Sequence, residues 1–228
     1  METIEERLRE IWDELGEGTR LVAVSKFHPA ERILEAYRAG QRIFGESRVQ
    51  ELQEKIPLLP QGDIEWHLIG TLQRNKVKYI VPYIHTIHSI DSPALFREVE
   101  ERAEKLGTRR NRKIRLLLQV HISDEETKHG FTEEELTAFL EELDVTGLKS
   151  TEVAGLMGMA ALTDDMAVVE GQFAHLRALF DRVREQYLPG YAPFKELSMG
   201  MSDDYPIALR HGATYVRIGT RIFGRREY

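Results

Sequence analysis

A lysine stands at the end of an apolar segment, LVAVSK, which spans Leu21 to Lys26. Long cationic side chains are rarely placed at the end of a buried strand without purpose. A desolvated lysine has a lowered pKa, and its neutral amine then attacks carbonyl carbons. The alternative is a lysine whose ammonium group extends from the strand end into water. Position alone leaves both interpretations of Lys26 open.

Two later loops carry residue types that bind phosphate. The first follows the segment FKELSMG and contains Met201, Ser202 and Asp203, whereas the second contains Gly219 and Thr220. Glycine lets the backbone approach phosphate oxygens, and exposed N–H groups at the start of a helix attract a dianion. Ordinary helix capping is the alternative, since serine and aspartate are good caps. Two such loops together favour a phosphate site.

Other candidate residues do not predict a second functional site. His85 and His88 are three apart on one predicted strand and should face opposite sides, so with His67 they predict no metal site. Glu46 ends a predicted strand and is a candidate acid or base; the alternative is a pairing with a nearby cation such as Arg48. Methionine near strand ends more often fills the core than lines a pocket. This applies to Met157, Met159, Met199 and Met201.

These residues need a scaffold, and the chain alternates short apolar segments with segments of helical period. Helix starts are recognisable at Pro29, at Ser92 followed by Pro93, and at the capping box formed by Thr132 and Glu135. The eight predicted strands are Leu21 to Lys26, Arg42 to Glu46, Glu65 to Gly70, Thr86 to Ile90, Lys113 to Ile122, Glu152 to Met159, Phe194 to Gly200 and Tyr215 to Gly219.

The number and composition of these units predict the fold. Runs such as LLLQVHI and LVAV are almost continuously apolar, as expected for strands covered by helices on both faces. Eight such units in 228 residues match a (β/α)8 barrel. The alternative, an open doubly wound sheet, lacks support because neither GxGxxG nor GxxxxGK[ST] occurs. We predict an α/β fold, a single TIM-type barrel over residues 1–228 with an extra N-terminal helix.

A closed barrel brings the candidate residues together, because its first and eighth strands are neighbours. Lys26 and the two loops then share one mouth at the carboxyl ends of the strands. Arg217 lies two residues before Gly219 and faces the same side of its strand, from which it can reach a ring nitrogen. An amine beside a phosphate site fits a phosphorylated aldehyde cofactor.

Composition excludes several functions. The chain has no cysteine, which excludes disulfides, thiolate metal sites and cysteine nucleophiles. A net charge of -7 argues against nucleic-acid binding. The one basic run is interpreted as a solvated loop; it comprises Arg109, Arg110, Arg112, Lys113 and Arg115. The acidic N-terminus is no signal peptide, and no apolar run approaches the ~20 residues that span a bilayer. We expect a soluble cytoplasmic protein.

Taken in order, the motifs resemble those of the pyridoxal phosphate homeostasis proteins over nearly the whole chain. The matching segments are AVSK around Lys26, FGESRVQE (44–51), WHLIGTLQRNK (66–76), HSID (88–91), HISDEETKHG (121–130), GLMGM (155–159), SMGMSDD (198–204) and VRIGTRIFG (216–224).

The resemblance implies a barrel like the N-terminal domain of alanine racemase, monomeric or weakly dimeric. It implies pyridoxal 5'-phosphate (PLP) held as a covalent aldimine on Lys26. It also implies phosphate contacts from Ser202, Gly219 and Thr220, and a ring-nitrogen contact from Arg217.

The chain departs from the family pattern at Ser47, where asparagine is usual, and His121 also stands where asparagine is common. Lys128 is a candidate secondary lysine for cofactor transfer. The predicted cofactor-binding set contains no catalytic residue and no metal ligand. It consists of Lys26, Ser47, Met201, Ser202, Arg217, Gly219 and Thr220.

Two functions compete, a carrier and an enzyme. Racemisation needs an acid or base on each face of the bound amino acid, and Lys26 serves one face only. In alanine racemases the opposite tyrosine comes from a second domain, which we expect to be absent because the chain ends at Tyr228. We therefore predict a PLP-homeostasis protein that supplies PLP-requiring apoenzymes. The alternative is an amino-acid racemase or decarboxylase.

Overall fold

A computed structural model describes residues 2–107, 112–123 and 129–224, and it contains eight parallel strands closed into a barrel. The strands pair in chain order, and β8 pairs with β1, placing Arg20 opposite Tyr215. The closed barrel confirms the predicted fold class. The strands are β1 Arg20–Val24, β2 Ile43–Glu46, β3 Glu65–Leu68, β4 Ile84–Ile90, β5 Ile114–Val120, β6 Thr151–Gly158, β7 Glu196–Ser198 and β8 Tyr215–Ile218.

The predicted strands are all present, with shifted ends. β1 ends at Val24, so Lys26 lies in the loop after the strand. β4 begins at Ile84, two residues before its predicted start. In β5, Leu116, Leu117 and Leu118 are all fully buried, because the strand is covered both by helices outside and by side chains inside the barrel.

Helices between the strands cover the outside of the barrel. Ser92 caps one helix with Pro93 in its first turn, and Thr132 forms a capping box with Glu135, as predicted. Pro29 is the N-cap residue and not the first helical residue. The helices are α1 Ile4–Leu15, α2 Ala30–Arg38, α3 Val49–Lys55, α4 Val77–Ile80, α5 Pro93–Leu106, α6 Glu133–Glu142, α7 Met166–Arg182, α8 Tyr205–Arg210 and α9 Thr220–Phe223.

The predicted extra helix is α1. It begins at a capping box between Thr3 and Glu6, and it buries Ile4, Leu8 and Ile11 against the barrel. It packs against β1, α2 and α9, so it joins the first and last parts of the barrel. No helix within the described ranges is long and apolar enough to cross a membrane.

The amino-terminal end of the barrel is closed by a charged network around Tyr215. Arg115 donates to Glu196 at 2.8 Å and to the Tyr215 hydroxyl at 3.0 Å, and its side chain is only 12% exposed. Arg20 lies over the Tyr215 ring and pairs with Glu196. The prediction that Arg115 belongs to a solvated loop is therefore wrong, because it points inward from β5. Arg109 and Arg110 lie outside the described residues.

β4 is irregular where it faces β3. Trp66 pairs with Ile84. The next β3 residue, His67, pairs with Thr86, so His85 is an extra residue in β4. Such a β-bulge changes the direction in which nearby side chains point. The ring of His85 consequently stacks on that of His67, with 5.6 Å between the centroids.

Candidate functional site

A cavity of about 240 Å³ lies at the carboxyl ends of the strands. All seven residues predicted to bind a cofactor line it: Lys26, Ser47, Met201, Ser202, Arg217, Gly219 and Thr220. The other lining residues are Val24, His28, Ile69, Met159, Asp203 and Gly224. The structure thus brings the predicted set together at the end of the barrel where such folds place their functional groups.

Lys26 is held by an unusual loop conformation. The next residue, Phe27, has φ 67°, the left-handed region that bulky residues rarely adopt. This conformation is stabilised by two hydrogen bonds, from the Phe27 N–H to Glu51 Oε2 at 2.7 Å and from the His28 N–H to the Ser25 carbonyl at 3.1 Å. Because the loop turns sharply at Phe27, the half-buried side chain of Lys26 faces the cavity.

A buried ion pair anchors the base of this loop. Lys55, from α3, donates to Glu46 Oε1 at 2.8 Å, to the Ser25 carbonyl at 3.0 Å and to Glu51 at 3.1 Å. Burial raises the pKa of Glu46, and the charge of Lys55 opposes that rise. Glu46 does pair with a cation, but that cation is Lys55 and not Arg48. Lys55 reaches Glu46 because α3 folds back over β2.

We expect Lys55→Ala to lower the free energy of unfolding by about 3 kcal/mol, because it leaves the Glu46 carboxylate buried without its cation. The loss should shrink as the pH falls, since a protonated Glu46 carries no charge. Urea unfolding followed by circular dichroism measures both effects. Arg48→Ala is the matched control and should change stability by less than about 0.5 kcal/mol. Equal losses in the two variants would contradict this account.

The loop after β7 is shaped by Gly200 and Asp204. Gly200 has φ 90°, and a Cβ there would lie 2.7 Å from the Cβ of Ala208, so the close approach of α8 requires glycine. Asp204 Oδ1 accepts the Met201 N–H at 2.5 Å, and Asp204 is the N-cap residue of α8. Because Asp204 takes the capping position, Ser202 and Asp203 remain at the cavity wall.

The loop after β8 approaches β1 closely. Gly219 is the N-cap residue of α9, and a Cβ there would lie 3.1 Å from the Val24 carbonyl oxygen. Thr220 begins α9 and is exposed at the cavity wall. The first N–H groups of any helix lack intrahelical acceptors, so this turn offers donors toward the cavity. Both loops therefore open short helices, as the sequence predicts.

Arg217 reaches the cavity floor from inside the barrel. Its guanidinium donates to Ser198 Oγ at 2.6 Å and to the Gly158 carbonyl at 3.2 Å. Burial lowers the pKa of Arg217 to about 10, which still leaves it protonated at neutral pH. Arg217 and Gly219 both line the cavity, in agreement with the predicted alternation along β8.

Hydrogen bonds continue from Arg217 along the barrel axis. His88 Nδ1 lies 2.9 Å from Ser198 Oγ, and His67 Nδ1 lies 2.9 Å from His88 Nε2. Burial lowers the pKa of both imidazoles well below the ordinary histidine value, and His88 adds to the lowering at His67. Both rings are therefore neutral at neutral pH. This internal chain was not expected from the sequence.

The prediction that His85 and His88 face opposite sides is wrong, because both rings pack against His67. The bulge explains this: His85 is the extra residue, and His88 lies two residues after Thr86, the partner of His67, and so shares its face. Alternation along a strand predicts facing only where pairing is regular.

The predictions for the methionines are confirmed for two of the four residues. Met157 and Met199 fill the core, whereas Met159 and Met201 line the cavity. Ser47 lies in the loop after β2, where a Cβ on Gly70 would come within 2.4 Å of the Ser47 carbonyl oxygen. Lys128 lies outside the described residues.

Comparisons with known proteins connect the chain to one group. Residues 1–227 match the family described as alanine racemase, N-terminal domain. The chain is 38% identical over 226 residues to the pyridoxal phosphate homeostasis protein of Aquifex aeolicus. That match covers 98% of this chain and 95% of the relative.

Solved structures give the same grouping. PipY of Synechococcus elongatus PCC7942, solved with PLP bound, is 39% identical with a TM-score of 0.85. The similarity covers 97% of this chain and 100% of that chain. Alanine racemase of Clostridium difficile 630 has a TM-score of 0.74 at 15% identity, covering 99% of this chain and 56% of that chain. At this identity the likeness shows the fold alone.

Proposed function

We propose, from its membership of the alanine racemase N-terminal domain family, that the chain binds PLP and takes part in PLP homeostasis. Within that family the chain belongs to the pyridoxal phosphate homeostasis proteins. The observation that carries the proposal is the cavity in which an amine, two loops suited to phosphate and a buried guanidinium meet. The relative named PipY is described with PLP bound, which supports the same ligand here.

The residues present fit this cofactor group by group. PLP has an aldehyde, a phosphate dianion and a pyridine nitrogen, and each meets a complementary group in the cavity. Lys26 offers a primary amine, Ser202 and Thr220 offer hydroxyl groups, and Arg217 offers a fixed donor. Gly219 allows close approach of the backbone where the phosphate would lie.

We assign the covalent attachment to Lys26. Lys26 would hold the cofactor through its Nζ atom, and the aldehyde of PLP would supply the carbon for that bond, with one water molecule released. Such an attachment would be reversible, because water would release the aldehyde and another amine would take the cofactor over by displacing Lys26. Such a bond suits a protein that stores and releases PLP.

Arg217 is assigned to the pyridine nitrogen. A guanidinium can donate but cannot accept, and it keeps its proton at neutral pH. A ring nitrogen that only accepts a hydrogen bond is a weaker electron sink than a protonated one. This assignment favours storage over turnover.

The assignment as a carrier rests on the name shared by the relatives and on the arrangement of proton-moving groups. Lys26 and His28 leave the end of the same strand, so both approach from one side. Among the described lining residues, Asp203 is the carboxylate on the opposite loop. Asp203 is therefore the candidate second acid or base that an enzyme acting on both faces of an amino acid would use. Apoenzymes that require PLP are the proposed recipients, and we propose a monomer or weak dimer.

A single exchange experiment tests the proposed function. The protein is loaded with one equivalent of PLP and incubated with L-alanine in deuterated water, and NMR follows the α-proton. We expect exchange no faster than with free PLP at the same concentration. Exchange at an enzymatic rate that is lost in Asp203→Asn would contradict the carrier and support the racemase alternative. Failure to retain PLP would contradict binding itself.

A further inference from the structure

A second cluster of ligating side chains lies at the amino-terminal end of the barrel, away from the cofactor cavity. Glu65 and His67 lie on β3 and His85 on β4, and one ligating atom from each lies within 4.8 Å of the others. His67 is completely buried, yet its Nε2 atom has no hydrogen-bond partner among the described residues. A buried ring nitrogen without a hydrogen-bond partner is costly unless something binds it.

The hydrogen-bond chain allows a proton order in which His67 Nε2 carries a lone pair. Arg217 only donates, and His88 Nδ1–H can also donate to Ser198 Oγ. His88 Nε2 then accepts from His67 Nδ1–H, which leaves His67 Nε2 unprotonated. The reverse proton order would place an N–H group at Nε2 without an acceptor. Metal-binding histidines commonly donate their other N–H in this way.

The backbone brings the three side chains to one place. Glu65 and His67 are two apart on β3 and share its inner face. His85 is the extra residue of the bulge in β4, so its ring stacks on that of His67. Its Nε2 atom lies 3.6 Å from Glu65 Oε2. Glu65 is 37% exposed, so the cluster opens to solvent through this carboxylate.

The charges around the cluster are largely compensated. Arg20 and Arg115 lie near His67 and both pair with Glu196. Arg112, two residues before β5, interacts electrostatically with Glu65 and is the remaining cation beside the cluster.

We propose that Glu65, His67 and His85 form a binding site for a divalent transition-metal ion, with zinc as the expected occupant. Two imidazoles and one carboxylate are a ligand set that zinc accepts, with water in the fourth position. Bonds of about 2.0–2.1 Å require tetrahedral ligand atoms roughly 3.3 Å apart, so the side chains need to close by about 1.5 Å at most. Zinc would join β3 to β4 and fix the proton order of the chain that ends at Arg217.

Metal binding is tested on the full, untagged, PLP-loaded chain after treatment with a chelator. Isothermal titration with zinc chloride should show one equivalent bound. His85→Gln and Glu65→Gln should each weaken the affinity at least about tenfold. His175→Gln is the matched control, because His175 is an exposed histidine that also contacts a glutamate, Glu133.

A second readout keeps the test decisive if a variant folds poorly. Cobalt(II) added to the unmodified chain should give the intense visible absorption of tetrahedral coordination, and zinc should abolish it. Nitrogen NMR should show the metal-induced shift at His67 Nε2 while Nδ1 stays protonated. The proposal is overturned if no equivalent of zinc binds, if His85→Gln and Glu65→Gln bind it unchanged, or if His175→Gln removes it.

Discussion

Replacing Lys26 with alanine is expected to abolish covalent attachment of PLP completely. The variant lacks the only group that we assign to the Schiff base, and the cofactor is then held by its phosphate and ring contacts alone. The yellow absorption of the protein should be replaced by that of the free aldehyde. PLP should leave on dialysis, and denaturing mass spectrometry of borohydride-treated variant should show no added cofactor mass.

Two control variants distinguish loss of imine formation from loss of a positive charge. Lys26→Arg keeps a cation at the cavity but cannot form a stable imine with PLP, so it should also lose the covalent product. Lys195→Ala removes an exposed lysine and should bind PLP as the unmodified chain does. If Lys26→Ala retained the absorption band and the trapped mass, Lys26 would not be the attachment site.

Replacing Ser202 with aspartate should produce the largest loss of affinity among substitutions that leave Lys26 intact. It places a carboxylate where we assign the phosphate dianion, and opposed like charges cost several kcal/mol. We expect the dissociation constant to rise by about a thousandfold, equivalent to about 4 kcal/mol. Equilibrium titration followed by absorbance measures the change.

Ser202→Ala is the milder partner of this test, because it removes one hydroxyl group and should weaken binding by about fivefold. Ser92→Asp places the same new carboxylate at the N-cap of α5, outside the cavity lining, and should leave PLP affinity unchanged. A Ser202→Asp variant with unchanged affinity would show that the phosphate lies elsewhere.

Much of the barrel and its site could be predicted from the sequence because the signals are local. The apolar run around Leu116–Leu118 identifies a strand buried on both faces. The glycine and hydroxyl residues at Ser202, Gly219 and Thr220 identify loops that open helices. Lys26 stands out because a long cation follows an apolar strand directly.

Other features could not be predicted because they depend on pairing between distant strands. The directions of His85 and His88 follow from the bulge in β4, and a bulge is a property of two strands and not of one. Lys55 reaches Glu46 only because α3 folds over β2. From the sequence alone, Lys55 is no better a candidate partner for Glu46 than Arg48 is. Arg115 joins a loop-like basic run in the sequence, yet the closure of the barrel turns it inward to Glu196.

The central claim, a Schiff base between PLP and Lys26, is tested most directly by mapping the reduced product. The unmodified protein is loaded with PLP, treated with borohydride, digested and sequenced by mass spectrometry. We predict one phosphopyridoxyl group per chain, on the peptide that contains Lys26. A label on another lysine, or no label on a protein that still binds PLP, would contradict the account.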